Sequence, residues 1–347
     1  TVPGAPGAWQ ALHARFGRLP FAELFADAIA YAEEGYPVSP RSARNWGFAY
    51  QRFARELPRT AFGHWAAIFA PEGHAPAPGE IWRCPDMARS LQQIAESGAA
   101  AFYSGELAER IGAFAEASGG WLRAADLAAH QHSWVDPIST NYRGYDVWEI
   151  PPNGQGLAAL LALNILEGFA LGSIPRDSAA SYHLQLEAMK LAYLDAHRYI
   201  ADPEHAVVPT AELLSKEYAT RRRALIGQAA LDPQPGEPLR SDTAYLCAVD
   251  SDGMMVSLIE STFDSFGSGI VIPGTGIALQ NRGAGFSLDP AHPNALAPGK
   301  RPYHTIIPGF LTRDGAPIGP FGVMGGHMQP QGHVQMIVNT VDYGLNP

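Results

Sequence analysis

Cysteine is scarce in this chain and basic charge is in deficit. Its two cysteines, Cys84 and Cys247, lie far apart, so no disulfide framework is implied. Cys247 falls in an apolar strand pattern and reads as a small buried hydrophobe. Lys and Arg number 24 against 34 Asp and Glu, a net charge of −10. That balance argues against nucleic acid or an anionic membrane as the main partner, because a phosphate-binding surface needs clustered cations. The one basic run, Arg221 to Arg223, reads as the solvated end of a helix. Long apolar runs are missing too. The nearest, "GLAALLALNILEGFALG", is punctuated by Asn164 and Glu167 and fits a core helix better than a membrane span. The glycines of "GSGIVIPGTG" are not followed by the Lys-Ser/Thr of a phosphate loop, and His327 and His333 lack the spacing of a zinc pair. Neither metal nor organic cofactor is called for.

What is present is a globular composition, 46% hydrophobic over 347 residues, enough for a sizeable core. The first two thirds read mostly as helix. "LPFAELFADAIAYAEEG" opens on Pro20 and closes on Gly35; "CPDMARSLQQIAESG" and "AAAFYSGELAERIGAFAEASGG" repeat that grammar. "NYRGYDVWEIPP" is strand-like, and "NGQGLAALLALNILEGF" is a turn into a buried helix. "SAASYHLQLEAMKLAYLDAHRYI" predicts a long amphipathic helix with Leu184, Met189, Leu191 and Leu194 near one face. "TAELLSKEYATRRRALI" predicts another. Residues 228 to 242, rich in proline, are expected to form an exposed linker. Strand patterns follow in "TAYLCAVD", "MMVSLIES", "GIALQN", "TIIPGFLTRDG" and "IGPFGVMGG", then a helix near "PQGHVQMIVNTV". Helices followed by strands suggest an α/β (α+β) sandwich, an antiparallel sheet covered by helices. Both ends, "TVPGAPGAW" and "VDYGLNP", read as interior turns, and the expectation is a chain truncated at its N- and C-termini.

The stretch "RSDTAYLCAVDSDGMMVSLIES" carries the chemical question. Thr243 opens a hairpin where a flexible segment meets a rigid strand. A threonine hydroxyl is a poor nucleophile unless a base lies in reach, and one solution makes it a chain terminus whose own α-amine is the base. That requires cleavage between Asp242 and Thr243. On spacing alone an ordinary strand residue remains the simpler reading.

Motifs along nearly the whole chain bear on that choice. "VPGAPGAW", "RFGRLPFAELFADAIAYAEEGYPVSPR", "YRGYDVWEIPPNGQG", "TAYLCAVDSDGMMVSLIES", "GTGIALQNRGAGFSLDP", "APGKRPYHTIIP" and "GVMGGHMQPQGH" together resemble the γ-glutamyltranspeptidase family in residues and in order. The resemblance implies an N-terminal-nucleophile hydrolase with a four-layer αββα sandwich, made as one precursor that cuts itself. Residues 1 to 242 would be the mainly helical large-subunit segment and 243 to 347 the small one, mainly strands, intertwined as one domain. Whether two such heterodimers pair stays open. Thr243 matches the nucleophile, Ser261 the supporting hydroxyl, and Gly325 with Gly326 the glycine pair of an oxyanion hole.

The departures define a branch. Where the family holds an α-amine with Asn and acidic or amide side chains, this chain has Phe263, Arg282 and Gly285; a cation does not hold an ammonium group. The serine pair that takes an α-carboxylate becomes His304 and Thr305, both able to donate. The pattern is similar to the oxamate amidohydrolase and cephalosporin-acylase-like branch, which implies hydrolysis of a small amide lacking a free α-amine, an anionic acyl group held by Arg282 being one form. Two alternatives stay open: a γ-glutamyl transferase or glutathione hydrolase, and a non-catalytic member, for which the altered pocket and Ala244 speak. Glu260 and Asp264 read either as a carboxylate pair or as positions beside a strand end.

Overall fold

Residues 1–232 and 242–346 are described in the computed structural model, Asp242 by its backbone alone. The expected linker, residues 228 to 242, therefore lies largely outside the described residues. Contacts within the chain gather it into two units, Thr1–Trp134 with Asp264–Asn281, and Val135–Phe263 with Arg282–Pro347. The segment after Thr243 thus contributes to both.

The first unit is helical: α1 (Ala5–Phe16), α2 (Ala26–Glu34), α3 (Pro40–Glu56), α4 (Arg59–Phe69), α5 (Pro85–Ser97), α6 (Ala100–Tyr103), α7 (Glu106–Ala117) and α8 (Ala124–Ala128), with β1 (Tyr36–Pro37) paired to β2 (Ile81–Trp82). The stop signals act as expected: Gly35 ends α2 at φ +90° and Gly98 ends α5 in the left-handed region at φ +62°. The start at Pro20 is different. A 3₁₀ turn, Phe21–Phe25, precedes α2, and buried Phe25 packs with Ile94, Phe102 and Leu107. Where one helix was expected over residues 99 to 120, α6 and α7 are separated at Ser104 and Gly105, because a β-carbon on Gly105 would stand 2.8 Å from the Ala101 Cα. A second core is aromatic: Trp46, Phe53, Trp65 and Phe69 surround Phe266. "GIALQN" forms no strand, only a single bridge between Val271 and Ala278. Gly276, at φ +70°, lies where a β-carbon would meet Cys84 Sγ and the Met87 nitrogen at 2.8 Å, so the segment follows the surface of α5 as a loop.

The second unit is built around α9 (Gly156–Leu166), all of whose residues are buried. Its apolar run has no polar face because it is covered on every side. It packs on β3 (Ile138–Tyr142) and β4 (Tyr145–Glu149), and against α10 (Ala179–Tyr199), α12 (Lys216–Arg223) and α13 (Gln329–Val341), with α11 (Thr210–Leu213) leading into α12. "NYRGYDVWEIPP" is a hairpin, not one strand: Arg143 and Gly144, at φ +52° and +85°, supply the two left-handed residues of a tight turn. β7 (Gly309–Arg313) and β8 (Ala316–Phe321) extend the antiparallel sheet in the order β3-β4-β7-β8. On α10, Met189 and Leu191 are buried but Leu194 is 44% exposed, so the apolar stripe is narrower than its sequence suggests.

β5 (Asp242–Val249) and β6 (Met255–Phe263) pair as a separate antiparallel ribbon. Burial falls along β5: Thr243 is buried, whereas Leu246, Cys247 and Val249 are exposed. Cys247 is therefore not the buried thiol expected, because only the Thr243 end of the ribbon is covered. Tyr245 packs its ring on Gly322, where a β-carbon would be 2.4 Å away, and Ser257 donates to the Gly309 carbonyl at 2.9 Å.

Candidate active site

The register of the ribbon sets the direction of Thr243. Asp242 pairs with Phe263 and Ala244 with Glu260, so between these pairs one residue of β5, Thr243, faces two of β6, Ser261 and Thr262. Such a bulge interrupts the alternation of a ladder and re-aims side chains. Thr243 Oγ1 donates to Ser261 Oγ at 3.2 Å, and the Phe263 amide donates to the same oxygen at 2.8 Å. With the chain continuous through Asp242, the Thr243 nitrogen is an amide and has no basicity.

Phe263 is 2% exposed and held at φ +80°, a region costly for a non-glycine residue. The Arg282 guanidinium lies 4.3 Å from the Phe263 ring centre and donates to Thr305 Oγ1 at 2.6 Å. Arg282 is itself buried, which pushes its guanidinium down to about 10; it is still a cation at neutral pH. Its charge adds to burial in holding His304 well below the usual histidine range. The His304 main chain is clamped, its N–H donating to Asn153 O and its carbonyl accepting from Gln155 N, both at 2.9 Å. Phe263, Arg282 and Thr305 are thus one packed group, with His304 fixed beside Thr305 through its backbone.

Gly325 and Gly326 stand at φ +147° and +55°, conformations that favour glycine, and lead through a 3₁₀ turn into α13. Two glutamines hold this turn. Gln155, fully buried, donates from Nε2 to Gly326 O at 2.7 Å and Thr305 O at 2.8 Å, and accepts from Tyr303 Oη at 3.1 Å. Gln329, with its amide oriented by the bonds open to it, donates to Thr305 O at 2.8 Å and accepts from the Gly326 N–H at 3.3 Å. The Gly326 N–H, expected in an oxyanion hole, therefore meets Gln329 over a long bond. His327 follows, its ring 5.6 Å from Tyr303 and 5.9 Å from Phe263. Burial first, then His197 and Arg282, lower the His327 imidazole to about 4.

Gln155 is the residue that reading the sequence missed. "PPNGQG" was legible as a turn before a helix, and the signal within it was an amide, Gln155, set directly before the apolar run, where a polar side chain is buried and must find partners. Glu149 and His333 form a second unforeseen pair, both fully buried, with Nδ1 2.5 Å from Oε1. Burial raises the Glu149 carboxyl while His333 opposes the shift. Asp264 belongs to the first unit, where it meets Arg52 at 2.5 Å. Among the described residues no group of three His, Cys, Asp or Glu is placed to hold a metal, and no helix is long and apolar enough to cross a membrane.

The chain is mixed helix and sheet, like the solved structures it matches. A cephalosporin acylase from Bacillus halodurans superposes with a TM-score of 0.95 at 56% identity, covering 100% of this chain and 64% of that one. The glutathione hydrolase-like YwrD proenzyme of Bacillus subtilis is 41% identical over 100% of this chain and 65% of its own length. The oxamate amidohydrolase proenzyme of Klebsiella pneumoniae is 35% identical over 99% of this chain and 65% of its own. The chain therefore spans just under two thirds of the length of these relatives. Residues 1–347 match gamma-glutamyltranspeptidase throughout, and the chain belongs to the gamma-glutamyltranspeptidase family.

Proposed function

We propose that this chain is the larger part of a self-cleaving threonine-nucleophile amidase with a four-layer αββα fold. The observation that carries the reading is the Thr243 hydroxyl, buried at a bulge and 3.2 Å from a second hydroxyl on Ser261. In the precursor, Thr243 Oγ1 attacks the Asp242 carbonyl carbon; the C–N bond breaks as a C–O ester forms, and water hydrolyses the ester. The products are the Asp242 carboxylate, ending the large subunit, and a Thr243 α-amine, starting the small one. That amine then takes the hydroxyl proton as Thr243 attacks the substrate amide and returns it to the departing amine, leaving an acyl ester on Thr243; water, deprotonated by the same α-amine, hydrolyses that ester, releasing the acid and restoring the hydroxyl. Ser261 orients the nucleophile. Gly325 and Gly326 receive the oxyanion, the Gly326 N–H leaving Gln329 to do so.

Amide hydrolysis is favoured over γ-glutamyl transfer because a buried cation, Arg282, lies over an apolar ring, Phe263, at positions that the motif resemblance matches to those holding an α-ammonium group. The relative named oxamate amidohydrolase supports a substrate without that group, while YwrD, named glutathione hydrolase-like, supports the γ-glutamyl alternative. Arg282, His304 and Thr305 would bind its acyl part.

The test is the intact mass of the full-length protein and of Thr243→Ala, followed by hydrolysis of small amides with and without an α-amine. Two fragments meeting between Asp242 and Thr243 in the wild type, one chain in the variant, and hydrolysis of the amine-free amides are expected. An uncut wild type would favour a non-catalytic member. Release of dye from a γ-glutamyl anilide, accelerated by glycylglycine, would instead identify a transferase.

A further inference from the structure

Gln155 uses its whole side-chain amide to join three segments: Nε2 donates to two carbonyls, Thr305 O and Gly326 O, and Oε1 accepts the Tyr303 hydroxyl. Its main chain adds a bond to His304 O, and neighbouring Asn153 donates to Pro302 O at 2.6 Å. The loop before α9 therefore runs alongside residues 302 to 305, with one amide reaching on to the glycine turn. Such reach is costly unless complete: without it the buried Gly326 carbonyl and Tyr303 hydroxyl lose the partner that Gln155 gives them, while Thr305 O keeps its bond from Gln329. Orienting the Gly326 carbonyl also orients the peptide plane it shares with His327. A small residue at position 155 would leave the turn joined to the Arg282–Thr305 pair through Gln329 alone, whose bond to the Gly326 N–H is long at 3.3 Å.

We infer that Gln155 is a positioning residue: its buried amide ties the Gly326–His327 peptide to the Tyr303–Thr305 segment and so fixes where the turn that carries the two glycines stands relative to Arg282. It touches no reacting atom and acts through Gly326 and Thr305. Its effect on catalysis rests on the Thr243 reading given above, whereas its effect on the turn does not.

The experiment compares wild type, Gln155→Met and Tyr303→Phe in the full-length protein by hydrogen exchange and kinetics. Gln155→Met keeps the volume of the side chain and removes all three amide bonds. Exchange in peptides covering 322–328 and 302–306 should rise about tenfold, while that in β3 and β4 changes less than about twofold. Tyr303→Phe removes only the bond that steadies the far end of the amide, and should accelerate the same peptides about threefold. On a hydrolysed amide, Gln155→Met should lower kcat more than about tenfold with KM moving less than about threefold, the split expected when transition-state stabilisation alone is lost. Unchanged exchange in the two loops, or a uniform rise across the unit in both variants, would overturn the assignment; so would a loss confined to KM. Should Gln155→Met not fold, Tyr303→Phe decides by the same peptides. A wild type that is neither cut nor active speaks against the nucleophile, and the exchange data still decide for or against Gln155.

Discussion

The two units bury different things. Of the sixteen polar or charged residues buried among the described ones, fourteen belong to the unit of Val135–Phe263 and Arg282–Pro347, and only Ser90 and Thr275 to the other. Ser90 joins α5 to the loop at Thr275 by donating to its carbonyl, and Thr275 closes its own turn by donating to Ile272 O. The first unit is held by aromatic rings, Trp65 fully buried among Phe53, Phe62 and Phe69. In the second, Gln155, Arg282, Thr305 and Gln329 are buried and bonded to one another's segments. Burying polar groups costs free energy unless each is satisfied, so their concentration marks where geometry matters more than stability.

That contrast can be broken or sharpened by substitution. The largest effect is expected from Thr243→Ala, which should abolish cleavage and lower turnover by more than about a thousandfold while leaving the melting temperature within about 3 °C. A large unfolding shift with residual cleavage would make Thr243 a packing residue. Next, Trp65→Ala in the aromatic core should cost roughly 3–5 kcal/mol in denaturant unfolding. Turnover per folded molecule should be unchanged; a drop in kcat would show that the first unit also sets the chemistry.

A third effect is acid sensitivity. His327 has a folded-state value of about 4 against an unfolded value near 6.5, so between these limits the unfolded chain takes a proton that the folded one refuses. Stability should therefore fall as pH drops from 6.5 towards 4, by roughly 2–3 kcal/mol from this group. His304 is shifted in the same direction. Unfolding titrations at pH 6.5 and 4.5 should show a smaller acid loss in His327→Phe than in wild type; equal losses would rule the histidine out. The smallest effect is Ser261→Ala, for which a tenfold slowing of cleavage, about 1.4 kcal/mol, is expected from losing one neutral hydrogen bond to the nucleophile. Pulse measurements of processing by intact mass would reveal it.

Much of the fold was legible because it rests on local signals. Gly35 and Gly98 stop helices through a backbone conformation that a sequence can announce, and the apolar run of α9 announces its own burial. The failures have the opposite character. "GIALQN" has the composition of a strand, yet the close approach of Gly276 to Cys84 and Met87 directs the chain elsewhere. Cys247 sits in a predicted strand, but burial on a ribbon depends on what lies over it. At the site, Thr243, Ser261, Arg282 and the glycine pair were legible from motif resemblance, and their roles remain the proposal made above. Gln155 was not legible, since its three partners lie about 150 residues away in Tyr303 and Thr305 and farther still in Gly326.

The offset between β5 and β6 has a consequence of its own. One residue facing two is a matter of counting, so the parity of the strand sets which way the Thr243 side chain faces, and the bond to Ser261 then fixes its hydroxyl. Side chains around it can change and that facing survives. Deleting Thr262, or inserting one residue after Ala244, would restore an even ladder and turn neighbouring side chains to the opposite face. Substitutions around Thr243 leave that count unchanged, whereas a single codon gained or lost between the Asp242–Phe263 and Tyr245–Ile259 pairs changes it.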